Sequence, residues 1–250
     1  MFRLQVLLLT MFILLSTACS NTQIPVSTEA VPGAETQTPF SEEATSGAEI
    51  QTPTETAPAA ADSAPDEEAG NNILVAYFSR AGENYSVGVI DKGNTAIVAE
   101  LIAEQTGADL FEILPVEPYP SNYEEMKTVA MEEKNRGARP AIANTVENWE
   151  DYDVVFLGYP IWHADMPMIV YNFLESYDFT GKTVIPFNTH EGSGQSGTQS
   201  RIAAAIPDAT VANGLAIRGD TAQNNTASAK SSVEKWITED LNDVLLPSPG

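Results

Sequence analysis

Ser79, Arg80 and Gly82, followed after a gap by Gly93, Asn94 and Thr95, are residue types that can hold a phosphate. Hydroxyls sit beside glycine-freed backbone where a helix begins. A helix start presents unpaired N–H groups and the positive end of the helix dipole, so a phosphate monoester suits it. Pro160, Ile161 and Trp162 form a second group, with an aromatic plate able to stack on a flat ring system. Thr189, His190, Glu191, Gly192, Ser193 and Gly194 form a third, rich in residues without bulk that let backbone polar groups approach a ligand edge. Each group also has a plain structural reading: a strand-to-helix turn, a core tryptophan closing a sheet, or a flexible loop.

What unites them is where they fall. Ile73 to Phe78, Val154 to Gly158 and Thr183 to Phe187 are apolar runs of strand length, and each leads directly into one of the three groups. Helical spacing follows Asn94, with Ile97, Val98, Leu101 and Ile102 on one face and Gly107 as the stop. A strand is expected over Leu110–Leu114, and a charged helix over Tyr123–Arg136. Further helices are expected over Met168–Tyr177, Thr198–Ile206 and Ser228–Leu241, with a last strand over Thr210–Leu215. Strands alternating with helices predict an α/β fold: a doubly wound, open, five-stranded parallel sheet covered on both faces. All three loops then emerge at the carboxyl edge, where such sheets bind ligands. An anion cradle, an aromatic plate and glycine-rich backbone together suit flavin mononucleotide (FMN). There is no Gly-Lys-Ser/Thr phosphate loop and no G-x-G-x-x-G, which argues against nucleoside triphosphates and dinucleotides.

From about Ile73 to Trp236 the chain resembles the flavodoxin family. Tyr77-Phe78-Ser79-Arg80 with Gly93-Asn94-Thr95 is similar to its phosphate loop, Tyr159-Pro160-Ile161-Trp162 to its first flavin loop, and Thr189 to Gly194 to its second. The resemblance implies sheet order 2-1-3-4-5, with FMN at the topological switch point. Two departures stand out. Glu83 to Lys92 interrupt the phosphate loop, and the second flavin loop has no aromatic ring except the His190 imidazole. Tyr85, from the insertion, is the candidate to cover the other flavin face.

Other chemistry is less well supported. His163 and His190 are the only histidines, without a nearby cysteine or fixed carboxylate spacing for a metal, and they read as polar lining of the flavin mouth. No Gly-x-Ser-x-Gly elbow suggests hydrolysis. The domain from residue 71 to 250 carries 25 acidic and 11 basic residues, a net charge near −14. Such a surface repels nucleic acid and anionic lipid.

Residues 1–19 read as an export signal: Arg3, an apolar run from Leu4 to Leu15 too short to span a bilayer, then Ser16-Thr17-Ala18-Cys19. The segment resembles a bacterial lipobox, with the usual leucine displaced by one residue. Lipidation at Cys19, the only cysteine, would anchor the protein outside the cytoplasm; the alternative is an ordinary secretory signal cut near Ala18. Residues 20–70 are rich in Thr, Pro, Ala, Ser and Glu and read as a disordered stalk, with a reach of roughly 40 Å for a flexible coil.

The sequence thus predicts a membrane-tethered FMN protein that passes electrons to a redox protein or a small-molecule acceptor. The alternatives are an FMN-dependent NAD(P)H:quinone-type reductase and a non-redox binding module that has lost flavin. Glu191 and Asp165 are expected to place negative charge beside the flavin and lower its potential.

Overall fold

Central strands of a parallel sheet are covered on both faces, so they are apolar at every position rather than at alternate ones. The computed structural model, which describes residues 72–245, builds its sheet from such runs. The expected export signal, Cys19 and the expected stalk to residue 70 lie outside the described residues. Strand β1 (Ile73–Tyr77) is flanked by β4 (Asp109–Glu112) and β5 (Val154–Pro160), and β5 is followed by β6 (Thr183–His190). The fifth place is shared by β7 (Thr210–Val211) and β8 (Leu215–Arg218), both parallel to β6. The order β4-β1-β5-β6-β7 is the 2-1-3-4-5 arrangement expected from the sequence.

Side chains of alternate strand residues enter two cores. Leu74, Ala76, Phe78, Val155 and Leu157 pack with Ile169, Val170 and Phe173 of α3 (Met168–Ser176) and Ile202 of α4 (Thr198–Ala205). Val75, Tyr77, Phe156, Ile185 and Phe187 face the other way. They meet Val98 and Ile102 of α1 (Asn94–Thr106) and Val233 of α6 (Thr226–Lys235), a helix prolonged by a π turn over Trp236–Asp240. Gly107, in the left-handed conformation, ends α1 as its position predicted.

The last strand differs from its expected span, Thr210–Leu215. Ladder pairing joins Val184 to Val211 and resumes at Phe187 with Leu215, so Ala212, Asn213 and Gly214 stand against only Ile185 and Pro186. Pro186 has no N–H to donate, and the extra residue bulges out of the ladder there. A short helix, α5 (Gly219–Asn224), follows β8 directly and has no counterpart in the sequence reading.

The insertion after Gly82 is an antiparallel hairpin of β2 (Gly82–Asn84) and β3 (Gly88–Ile90). Its Glu83 carboxylate accepts from Asn122 Nδ2 (3.1 Å) and from the Tyr123 amide (3.0 Å), the first residue of α2 (Tyr123–Arg136). Glu83 N–H in turn donates to Ser121 O (2.8 Å). Arg80 donates to Pro120 O (2.9 Å), to Ser121 O (3.2 Å) and to Glu83 O. The hairpin and the start of α2 are therefore one latched unit beside the carboxyl edge of the sheet.

At the centre of the sheet, a Cβ added to Gly158 would overlap the Phe187 ring on the neighbouring strand. Gly158→Ala is expected to cost about 1–3 kcal/mol, the range for overpacking a filled core. Urea denaturation measures it; an unchanged midpoint would show that Phe187 can swing aside.

Candidate functional site

In a parallel sheet, register decides which loops become neighbours. Tyr77 pairs with Gly158, and Pro160 with Thr189, so β5 and β6 end side by side. Between their ends and the start of α1 lies an open pocket of about 190 Å³. Pro160, Ile161, Trp162, Thr189, His190, Glu191 and Asn94, all singled out from the sequence, line it. Tyr85 and Asn84 of the hairpin and Tyr123, Met126 and Lys127 of α2 complete the wall.

The remaining sequence candidates surround this pocket. Gly93 and Thr95 are buried at the start of α1, and a Cβ on Gly93 would overlap Ser79 Oγ and lie 2.7 Å from Arg80 O, so only glycine fits. Ser79, Arg80 and Gly82 border a separate cavity with Phe78 and Tyr119. Gly192 and Ser193 are exposed in the loop after β6, and Gly194 O accepts from Asn188 Nδ2 (3.1 Å).

Several donors at the start of α1 are free. The N–H groups of Asn94 and Thr95 have no partner among the described residues. Ser79 Oγ accepts the Ala96 amide (3.0 Å), which leaves its own proton available. Thr95 and Thr189 share one hydroxyl–hydroxyl bond (2.8 Å), which ties the start of α1 to the end of β6 and leaves one of the two protons unused. Asn94 Oδ1 is shielded from solvent and has no hydrogen-bond partner. Buried acceptors are rarely left this way, and those that are often await a ligand or water.

Trp162 is both a packing residue and part of the pocket wall. Its half-buried ring packs edge-on against Phe78 (centroids 5.4 Å apart) and Tyr119 (5.0 Å), yet it also lines the pocket. It opens a tight turn in which Trp162 N–H donates to Asp165 O (2.8 Å) and Asp165 N–H to Trp162 O (3.0 Å). His163 and Ala164, the two central residues, have φ of +48° and +58°. Such a turn normally carries Asn or Gly, so two ordinary side chains here are held against a steric cost.

The two acids expected to place negative charge beside a flavin are each paired with cations. Glu191 Oε2 lies 3.1 Å from Arg218, and Oε1 accepts the Asp220 amide (2.8 Å). Asp165 is buried between Lys134 and Arg201, each 3.6 Å away. The sequence reads α2 simply as a charged helix, yet one side of it lines the pocket. Tyr123, Met126 and Lys127 lie three and four residues apart and share one side of a helix, which was the available sign that α2 has a second, site-facing side.

His190 Nδ1 accepts the Gly192 amide (2.8 Å), so in the neutral ring the proton resides on Nε2. Burial pushes the imidazole below its ordinary 6.5; the Arg218 charge adds to this and Glu191 opposes it. The unfolded chain therefore binds this proton more readily. The group's contribution to stability is present above pH 6.5 and is lost as pH falls through the depressed folded value. An NMR titration of His190 should give a midpoint below 6.5, and a midpoint at or above it contradicts the reading.

The flavodoxin family model matches residues 72–239. A candidate flavoprotein from Bacteroides eggerthii is 31% identical, with 72% of this chain and 100% of that chain covered and a TM-score of 0.54. Another from Bacteroides uniformis is 29% identical (68% and 99% covered, TM-score 0.54). A Lactobacillus acidophilus flavoprotein in complex with FMN shares the fold at 20% identity (67% and 99% covered, TM-score 0.50). No curated protein matches.

Proposed function

The chain belongs to the flavodoxin family, and on that premise we propose that it is an FMN-binding electron-transfer protein held outside the cytoplasm by a lipid on Cys19. The observation that carries the reading is the pocket at the ends of β5 and β6, where Trp162, His190 and the unpartnered Asn94 Oδ1 meet. The residues present fit the cofactor. The free N–H groups of Asn94 and Thr95 and the Ser79 hydroxyl proton suit its phosphate, and Asn94 Oδ1 suits a ribityl hydroxyl. Trp162 offers a face for the ring, and Thr189, His190 and Glu191 border its polar edge. Tyr85 is placed to cover the ring from the hairpin. When bound, the flavin supplies reversible one- or two-electron transfer.

The chain's own part is to hold and enclose. The latched hairpin brings Asn84 and Tyr85 to the mouth, and α2 brings Tyr123 and Met126, so aromatic and apolar surface excludes water from a ring seated there. The partner is a redox protein or a small-molecule electron acceptor, met by a domain of net charge near −14 that steers cationic surfaces toward it.

The test is titration with FMN and with riboflavin. FMN should bind more tightly, because each hydrogen bond to its charged phosphate contributes about 1.5–3 kcal/mol. Trp162→Ala should weaken FMN binding and leave the far-UV circular dichroism spectrum unchanged. Equal affinity for the two flavins would exclude a phosphate role for the start of α1. A protein that takes up no flavin, judged by visible absorbance after gel filtration, would instead be a binding module of this fold.

Membrane attachment has its own test. Two acyl chains on Cys19 are enough for stable association. Cys19→Ser should appear in the medium or remain unprocessed; normal processing and unchanged membrane fractionation would remove the lipid anchor from the proposal.

A further inference from the structure

A turn that places two non-glycine residues at positive φ needs outside support, and here the support converges on one carboxylate. Asp165 closes the Trp162 turn and is 8% exposed. Its Oδ1 accepts from its neighbour's amide, Met166 N (2.9 Å), and from Tyr171 OH of α3 (3.0 Å). Burial and the Asp165 charge push the Tyr171 phenol up to about 12, so it remains a donor throughout the physiological range.

Two cations complete the arrangement, and each does two things. Lys134, from α2, lies 3.6 Å from Asp165 Oδ2 and donates to His163 O (2.6 Å). Arg201, from α4, lies 3.6 Å from Asp165 Oδ1, donates to Ser196 O (2.8 Å) and reaches Ala164 O (3.5 Å). The carbonyls of both left-handed residues are thus held by side chains that Asp165 gathers. His163 Nε2 bonds Lys127 O (2.8 Å), a further tie from the turn to α2. Side chains from three helices, α2, α3 and α4, are thus fastened to the four-residue turn that carries Trp162.

We propose that Asp165 is a positioning residue, which through Lys134 and Arg201 sets the backbone of the Trp162–Asp165 turn and so the face that Trp162 offers the pocket. Its effect on ligand rests on the reading of the pocket as a flavin site; its effect on Trp162 does not. A buried carboxylate serving stability alone would disturb the fold generally. A positioning carboxylate disturbs one tryptophan of three, because Trp149 and Trp236 pack in other parts of the two cores.

The experiment uses the full chain labelled with 5-fluorotryptophan, with the Trp162 resonance assigned through Trp162→Phe. In Asp165→Asn and in Lys134→Met, the fluorine signal of Trp162 should shift or broaden while those of Trp149 and Trp236 stay in place. The FMN dissociation constant should rise about tenfold in either variant, because a turn no longer held in one arrangement presents Trp162 correctly only part of the time. In a Trp162→Ala background, Asp165→Asn should then add less than about twofold, because the two residues act as a unit. Should Asp165→Asn fail to fold, Lys134→Met, a partly exposed side chain, answers alone. An unmoved Trp162 signal, equal movement of all three signals, or additive losses of affinity would each overturn the proposal. If the unmodified protein binds no FMN, the functional reading falls and the fluorine spectra still decide the role of Asp165.

Discussion

The parallel register of β1, β5 and β6 is the constraint on which the site depends. Strands that share direction and alignment send their following loops to one edge, whatever those loops contain. The alignment is secured because both faces of these strands are buried: sliding one strand by one residue would exchange the residues of its two cores. Gly158, with Phe187 filling the space where its side chain would be, shows how little latitude remains at the centre. The bond between Thr95 and Thr189 extends the same order beyond the sheet, linking the start of α1 to the end of β6.

Around that edge the protein builds walls from elements that are not part of the sheet. The ten residues that separate Gly82 from Gly93 form a hairpin rather than a slack excursion, because Arg80 and Glu83 bind it to the segment that begins α2. A carboxylate at a helix N-terminus is favoured by the helix dipole as well as by the free amides it satisfies. The same contacts therefore order the insertion and aim α2 at the pocket. Tyr85 and Tyr123, one from each element, stand with ring centroids 6.0 Å apart at the mouth.

Charge behaves differently at the two scales. The domain as a whole is strongly acidic, yet the acids nearest the pocket are matched: Glu191 by Arg218, and Asp165 by Lys134 and Arg201. Distant charges act through water and are screened within about 10 Å at ordinary salt, whereas close pairs act in less polar surroundings. The acids beside the pocket therefore act as members of ion pairs, while the domain as a whole keeps its acidic excess.

Much of this was legible in the residues themselves. Apolar runs of strand length alternating with helical spacing define the doubly wound sheet, because burial on both faces leaves no other pattern for a central strand. The residues after each run, from Asn94 and Trp162 to His190, identify the pocket. What could not be read is whatever depends on a partner far away in the chain. Pro186 breaks the ladder only because the fifth strand lies against it. Glu83 accepts the first amide of α2 from forty residues away, and Asp165 looks like a free acid until Lys134 and Arg201 arrive from separate helices. Local periodicity and residue type set the elements and the loops that bear chemistry; tertiary packing alone decided which charges are paired, which helix face meets the site and how Trp162 is held, since each is a contact between segments that sequence spacing does not connect.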